Sequence, residues 1–287
     1  MLPLPASLPQ PTWLTIGFAF WVGAAIGSFL NVCIHRIPED ESVVTPGSRC
    51  PCCRTPIAWY DNVPVLSWLL LRARCRTCAA PIAARYPLIE LATGLLAVAA
   101  LWRFGWTPWA LVAFALTATL LLVTCIDLDH LFIPDEVSLP GIGIGLLVSA
   151  FVPGGVGLWS AGLGALVGGG VLWLVAWSYE RATGVEGMGF GDVKLLAMIG
   201  AFLGWQAIPL ILVIASLTGS VAGVGVLFTA RGRAERRRVV RMLGRRAFFP
   251  WVRRAMRTTA IPFGPFLALG AVVLLYCPEL GLPLTLG

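Results

Sequence analysis

Two aspartates, Asp127 and Asp192, stand at the ends of apolar runs in a chain that otherwise keeps charge out of its hydrophobic segments. Asp127 closes the run Leu111–Ile126, and Asp192 falls within Gly189-Phe190-Gly191-Asp192-Val193-Lys194, where glycines let the backbone approach a substrate and leave helical geometry. Two carboxyl groups brought together can share one proton, one staying ionised as base and the other neutral as acid. Such a pair hydrolyses an amide without a metal. Asp129 and Asp135 compete with Asp127 for the first position. Residues two apart point about 200° away from each other on a helix, so only one of Asp127 and Asp129 can face the partner. Asp135, after Pro134, reads as the cap that starts the next helix. His35 and His130 are the only histidines, both at segment boundaries, and no nucleophile with a positioned base is visible, so no covalent intermediate is expected.

Five of the eight cysteines lie in Cys50-Pro51-Cys52-Cys53 and Cys75-Arg76-Thr77-Cys78. The pairs Cys50/Cys53 and Cys75/Cys78 each present two thiolates to one ion, the signature of a tetrahedral zinc site. Cys52 lies between two of these ligands and could replace one. The intervening loop is rich in Pro and Arg and too small to bury much core, so a metal would supply its folding energy. Four thiolates close the coordination sphere, which makes the zinc structural. Cys33, Cys125 and Cys277 sit in or at the ends of apolar runs, where a free Cys is a small apolar filler.

The elements that must position these groups are membrane helices. With 58% hydrophobic and 12% charged residues and a mean hydropathy of +0.84, the chain has too little charge for a soluble globule of 287 residues. Apolar runs of about 20 residues, some shorter, predict an all-α polytopic membrane protein with about eight spans, near 12–34, 87–103, 108–127, 137–153, 157–178, 193–204, 206–229 and 260–278. The break between the sixth and seventh, at Gly204-Trp205, is the least certain, and a re-entrant or broken helix there would leave seven. Of the 21 basic residues all but Arg103 fall in segments 34–86, 179–194 and 230–258. Eight spans put these three segments on one face, the cytoplasmic one by their charge, with both aspartates at that boundary and the cysteine loop in a reducing compartment. Residues 1–34 lack a basic region ahead of the apolar stretch and read as a first span. Gly23/Gly27, Gly141/Gly145 and Gly164/Gly168 supply small-residue faces for helix packing.

Several segments together resemble the bacterial prepilin leader peptidases: Gly27-Ser28-Phe29-Leu30-Asn31-Val32 with His35-Arg36-Ile37-Pro38; the two cysteine pairs flanking Asp61-Asn62-Val63-Pro64-Val65-Leu66-Ser67-Trp68; Arg85-Tyr86-Pro87-Leu88-Ile89-Glu90; Ile126-Asp127-Leu128-Asp129 with Ile133-Pro134-Asp135; and Glu186-Gly187-Met188-Gly189-Phe190-Gly191-Asp192-Val193-Lys194. Presenilin-like proteases share only the Gly-x-Gly-Asp element and lack the cysteine loop. The resemblance runs from about residue 20 to the end. It implies an inner-membrane aspartic endopeptidase that cuts the basic leader from type IV prepilins or type II secretion pseudopilins, after a Gly and at the cytoplasmic face. It also implies methylation of the new N-terminus with S-adenosylmethionine, and by position it selects Asp127 and Asp192 as the water-activating pair. Arg54 stands where the family commonly has Gly, Ala73 replaces another frequent Gly, and Cys52 is additional.

A domain division follows, with residues 1–103 as an N-terminal region carrying the cysteine loop 34–86, and 104–287 as the protease membrane domain carrying basic segment 230–258. In that segment Phe248, Phe249 and Trp251 sit among arginines beside a span, which suits anionic lipid better than nucleic acid. Asp129, Asp135, Glu136, Glu180 and Glu186 gather around the pair and would attract a basic leader. Lys194 reads as a headgroup anchor, and Glu90, just inside the second span, reads as a functional candidate or a snorkelling boundary residue. No Gly-x-Gly-x-x-Gly turn marks a methyl-donor site, so its residues are unknown at this level. A polytopic transporter is the competing class, but it calls for acids near the bilayer midplane and for related halves; a non-catalytic assembly scaffold is the third.

Overall fold

A computed structural model of the chain describes residues 11–184, 189–227 and 262–277. Among these residues the backbone is helical, with turns and two isolated β-bridges. Every predicted apolar segment forms a helix: α1 Trp13–Arg36, α3 Arg85–Phe104, α4 Pro108–His130, α5 Asp135–Phe151, α6 Leu158–Thr183, α7 Phe190–Leu203, α8 Ile208–Leu227 and α9 Gly264–Tyr276, with a short α2, Leu66–Leu70, in the cysteine loop. Local chemistry sets the ends. Thr12 and Thr107 accept hydrogen bonds from Thr15 N and Ala110 N to cap α1 and α4, and Pro108 follows the second cap at the first helical position. Gly204, at φ +79°, and the 3-10 turn Trp205–Ala207 separate α7 from α8, so the doubtful boundary is a true break.

Among the described residues, five helices are long and apolar enough to cross a bilayer: α1, α3, α4, α6 and α8. The other three, α5, α7 and α9, have 17, 14 and 13 residues and fall short of the ~20 that a lipid-exposed span needs. Among the described residues, eight helices of 13 residues or more stand where the eight spans were expected, but only five are long enough to cross alone, so a count of eight spans does not follow. The reason is visible in α7, which runs only about 21 Å. Its Leu195, Leu196, Met198, Ile199 and Leu203 are fully buried against neighbouring helices, so protein rather than lipid surrounds it. The basic segment 230–258, including Phe248, Phe249 and Trp251, lies outside the described residues, as does Glu186.

The small-residue faces do the packing expected of them. Gly23 and Gly27 of α1 lie against Thr93, Gly94 and Glu90 of α3, and Gly141 and Gly145 of α5 lie against Met198, Ala201 and Phe202 of α7. At the crossing of α6 and α7, Gly164 and Gly200 meet backbone to backbone, and a Cβ on either would collide with the other's carbonyl. A bulky side chain there must push two helices apart. Gly164→Leu is therefore expected to destabilise the protein by about 1–3 kcal/mol or more, read as a lowered thermal midpoint in detergent.

Candidate active site and metal centre

Asp127 occupies the last turn of α4, which ends where Leu131 turns left-handed and returns its N–H to Asp127 O at 3.0 Å. Asp192 occupies the first turn of α7. Both side chains are buried, at 4% and 8% exposure, where the ends of their helices converge. Two close backbone approaches make this convergence. Gly191 packs against Ile133, the buried residue of the α4–α5 turn, and a Cβ at Gly191 would stand 2.9 Å from Ile133 Cβ. Gly264, at the start of α9, donates its N–H to Asp127 Oδ2 at 3.1 Å, and a Cβ there would stand 2.6 Å from that oxygen and 3.2 Å from Ile133 Cδ1. Three helix ends thus meet around Ile133, two of them bringing the carboxyl groups.

The other acids have different employment. Arg85 Nη1 pairs with Asp129 Oδ2 at 2.5 Å, and its Nη2 donates to Cys125 O at 3.3 Å, which turns Asp129 toward α3. Asp127, on the opposite face, is left for the interior. Asp135 is not the helix cap expected from its place after Pro134: Pro134 itself takes the cap position, and Asp135, in the first turn, holds Lys194 Nζ at 2.6 and 2.7 Å. Lys194 also stands 5.4 Å from the Phe190 ring centroid. The ammonium therefore ties α7 to α5 beside Asp192. Two of the five acids expected to attract a basic leader are thus neutralised within the chain, leaving Glu136 and Glu180 exposed among the described residues.

Gly264, Ile133 and Arg85 were absent from the site read in the sequence. For Gly264 the available signal is the cluster Pro262-Phe263-Gly264-Pro265, which punctuates the chain just before its last apolar run. Its hydrogen bond makes a sharp prediction. Gly264→Ala should displace the Asp127 carboxyl by a fraction of an ångström to an ångström and lower kcat for cleavage by about 10²-fold with little change in KM.

The cysteine loop forms at the same end of the bundle, as the Arg85–Asp129 pair requires. Cys50, Cys53, Cys75 and Cys78 bring their Sγ atoms within 4.8 Å of one another, and Cys50 Sγ lies 3.8 Å from Cys78 Sγ. A tetrahedron of thiolates at about 2.3 Å from zinc has sulfur–sulfur edges of roughly 3.8 Å. The donor set fits that ion. Cys52 is exposed and outside the cluster. The two halves repeat one turn: Arg49 bridges Pro56 as Arg74 bridges Pro81, Cys50 N bonds Thr55 O as Cys75 N bonds Ala80 O, and Arg54 and Ala79 both take positive φ, +57° and +55°. It is a conformation that Gly adopts without strain. Thr55, through its hydroxyl and its backbone, holds the Cys53 thiol below its usual range. Arg76 grips Asp61 with both nitrogens, at 2.7 and 2.5 Å, and holds that carboxyl below its usual range. Whatever this pair adds to loop stability is present at neutral pH and is lost as pH falls through the lowered value.

Glu90 has a structural tie: its Oε2 accepts the Val65 N–H at 2.7 Å, joining α3 to the loop. A cleft of about 250 Å³ lies between α1 and residues 43–48, lined by Ser28, Phe29, Arg36, Val44, Ser48 and Asn62 among others. It is smaller than the roughly 300–1,000 Å³ of typical small-molecule sites. No residue is assigned to the methyl donor.

Residues 21–104 match the Bacterial Peptidase A24 N-terminal domain, and residues 114–224 match the Type IV leader peptidase family. The prepilin leader peptidase/N-methyltransferase of Aeromonas hydrophila is 40% identical over 96% of this chain and 94% of its own length. The enzyme of that name from Burkholderia pseudomallei (strain 1026b) is 39% identical over 96% of this chain and 89% of its own. The Myxococcus xanthus enzyme is 46% identical over 76% of this chain and 64% of its own. No solved structure matches. Similarity of this extent excludes the transporter and scaffold classes: the chain belongs to the type IV leader peptidase family, as a prepilin leader peptidase/N-methyltransferase.

Proposed function

We propose that Asp127 and Asp192 are the catalytic pair of a peptidase that removes the basic leader from type IV prepilins or type II secretion pseudopilins, at the cytoplasmic face of the inner membrane. The observation that carries this reading is the burial of both carboxyl groups around Ile133, at the end of the bundle that also bears the cysteine loop. The positive-charge bias of the loops supports a cytoplasmic position for that end. Asp127 receives the Gly264 N–H, a donor suited to an ionised carboxylate, whereas Asp192 receives no hydrogen bond on its carboxyl from the described residues. Asp127 is accordingly the base and Asp192 the proton-bearing acid. Water between them loses its proton to Asp127 as its oxygen attacks the scissile carbonyl, while Asp192 donates to the carbonyl oxygen. Collapse breaks the C–N bond as Asp127 gives its proton to the departing nitrogen and a hydroxyl of the tetrahedral intermediate returns one to Asp192, leaving the leader's new C-terminal carboxyl group and a free N-terminal amine on the pilin.

Cys50, Cys53, Cys75 and Cys78 hold a structural zinc in this reading, and residues 1–103 serve methylation while 104–287 serve cleavage. S-adenosylmethionine, when bound, supplies an electrophilic methyl group to that amine. The partners are the prepilins and membrane lipid, not nucleic acid. Purified protein in detergent is incubated with a prepilin and labelled S-adenosylmethionine. Leader release followed by label on the shortened pilin is expected. A prepilin left intact contradicts the proposal.

A further inference from the structure

The cysteine loop carries apolar side chains that the described residues leave exposed. Ile57, Trp59 and Tyr60, around the 3-10 turn Trp59–Asp61, and Leu66, Leu69 and Leu70 of α2 are all exposed, Trp59 at 82% and Leu70 at 81%. A small metal-held module in water has no reason to show so large a contiguous patch. The two groups belong to one rigid unit, because Ser67 Oγ donates to Tyr60 O at 3.1 Å and accepts from Val63 N at 3.0 Å.

The depth of this unit is fixed by Glu90. The carboxylate that takes the Val65 N–H lies five residues into α3, about 7–8 Å along its axis from the first residue, Arg85. Val65 is held there in a γ-turn at φ +60° and ψ −50°, closed by Leu66 N to Pro64 O at 2.5 Å. A β-branched residue adopts that conformation only when its surroundings dictate it. Val65, the residue that precedes α2, consequently stands at the level of Glu90, between Leu88 and Leu91, which are exposed on α3. Along the same unit Arg54, Arg72 and Arg74 are exposed and make no ion pair among the described residues, whereas Arg76 is committed to Asp61.

We propose that residues 57–74 form an interfacial platform, with Trp59, Tyr60 and the α2 leucines seated in the headgroup and acyl boundary of the bilayer and Arg72 and Arg74 on its anionic phospholipids. An aromatic pair, a short apolar helix and arginines with no ion pair among the described residues, all within one stretch of 18 residues, match that boundary in both polarity and charge. The platform continues the lipid-facing surface of α3 and holds the metal centre against the membrane, at the end of the bundle where a cleaved pilin presents its new amine. The proposal rests on α1 and α3 crossing the membrane.

The test uses the full chain in nanodiscs of phosphatidylcholine, alone or mixed with phosphatidylglycerol, with and without lipids brominated near the headgroup. Subtracting the emission of Trp59→Phe from that of the wild type isolates Trp59 from the twelve tryptophans. Zinc content and prepilin cleavage equal to the wild type show that the variant is folded. Bromolipid is expected to remove roughly half or more of the Trp59 emission, as suits a side chain about 5–10 Å into the boundary. Arg72→Glu with Arg74→Glu should cut that quenching by about half in anionic discs and have little effect in zwitterionic ones. Quenching of the remaining tryptophans with none at Trp59 overturns the platform while leaving the spans intact. Quenching at Trp59 that needs added prepilin assigns the face to the pilin and overturns it too. An absence of quenching at all twelve overturns the spans and the platform together.

Discussion

Asp127→Asn and Asp192→Asn will each slow prepilin cleavage by roughly 10²–10⁴-fold, the range lost when a positioned acid or base is removed. The double variant will be no slower than the worse single one, because two groups that handle one proton and one water act as a unit. Neither change alters side-chain volume appreciably, so thermal midpoint and zinc content should match the wild type. Methylation of a pilin that has already lost its leader should persist in both variants, since the amine it needs is already free. Single-turnover cleavage with a purified prepilin, methylation of a pre-cleaved pilin in parallel, a thermal melt and metal analysis measure these expectations. Asp129→Asn is the informative neighbour. Its carboxylate is engaged by Arg85 rather than by Asp192, so it should retain far more activity than Asp127→Asn.

The second large effect is loss of the metal. Cys50→Ser or Cys78→Ser, or a strong chelator, should release about one zinc per chain and unfold residues 37–84, because zinc at four thiolates contributes about 10–16 kcal/mol, more than the few contacts left to hold the loop. Those contacts are the Trp68 indole on Ile82 O at 3.1 Å, the Glu90–Val65 bond and the Arg76–Asp61 pair. Limited proteolysis within the loop, alongside metal analysis, reads the change. Cys52→Ser should leave both measurements unaltered, since its side chain is exposed outside the cluster. Cleavage should suffer less than methylation, because the packing of α4 on α9 and of α7 on α5 does not use the loop.

The apolar runs were legible because each is a continuous stretch whose ends carry Pro, Gly or charge, and the helices fall where those signals lie. The two cysteine pairs were equally legible, since each pair is local and only the 25-residue offset between them is long-range. Span length was less so. A run of apolar residues reports that a helix is surrounded by apolar atoms and not whether those atoms are lipid or protein, which is why α7 reads as a span though its neighbours bury it. The partners of the acids were the least visible. Gly264 meets Asp127 across 137 residues, and Lys194 meets Asp135 across 59, and no local pattern encodes such distances. Asp135 shows the consequence: its place after Pro134 suggested a cap, whereas tertiary packing gave it an ammonium to hold. Periodicity could say that Asp127 and Asp129 face opposite ways but not which faces inward. Arg85 decides that.

The pH dependence of kcat/KM for prepilin cleavage by the wild-type protein tests the central claim most directly. One ionised and one protonated carboxyl sharing a water predict a bell, with an acid limb where the base becomes protonated and an alkaline limb where the acid loses its proton. Both limbs should move or vanish together when either Asp127 or Asp192 is changed. A rate that is flat across this range, or a bell retained in Asp127→Asn or Asp192→Asn, would contradict the account.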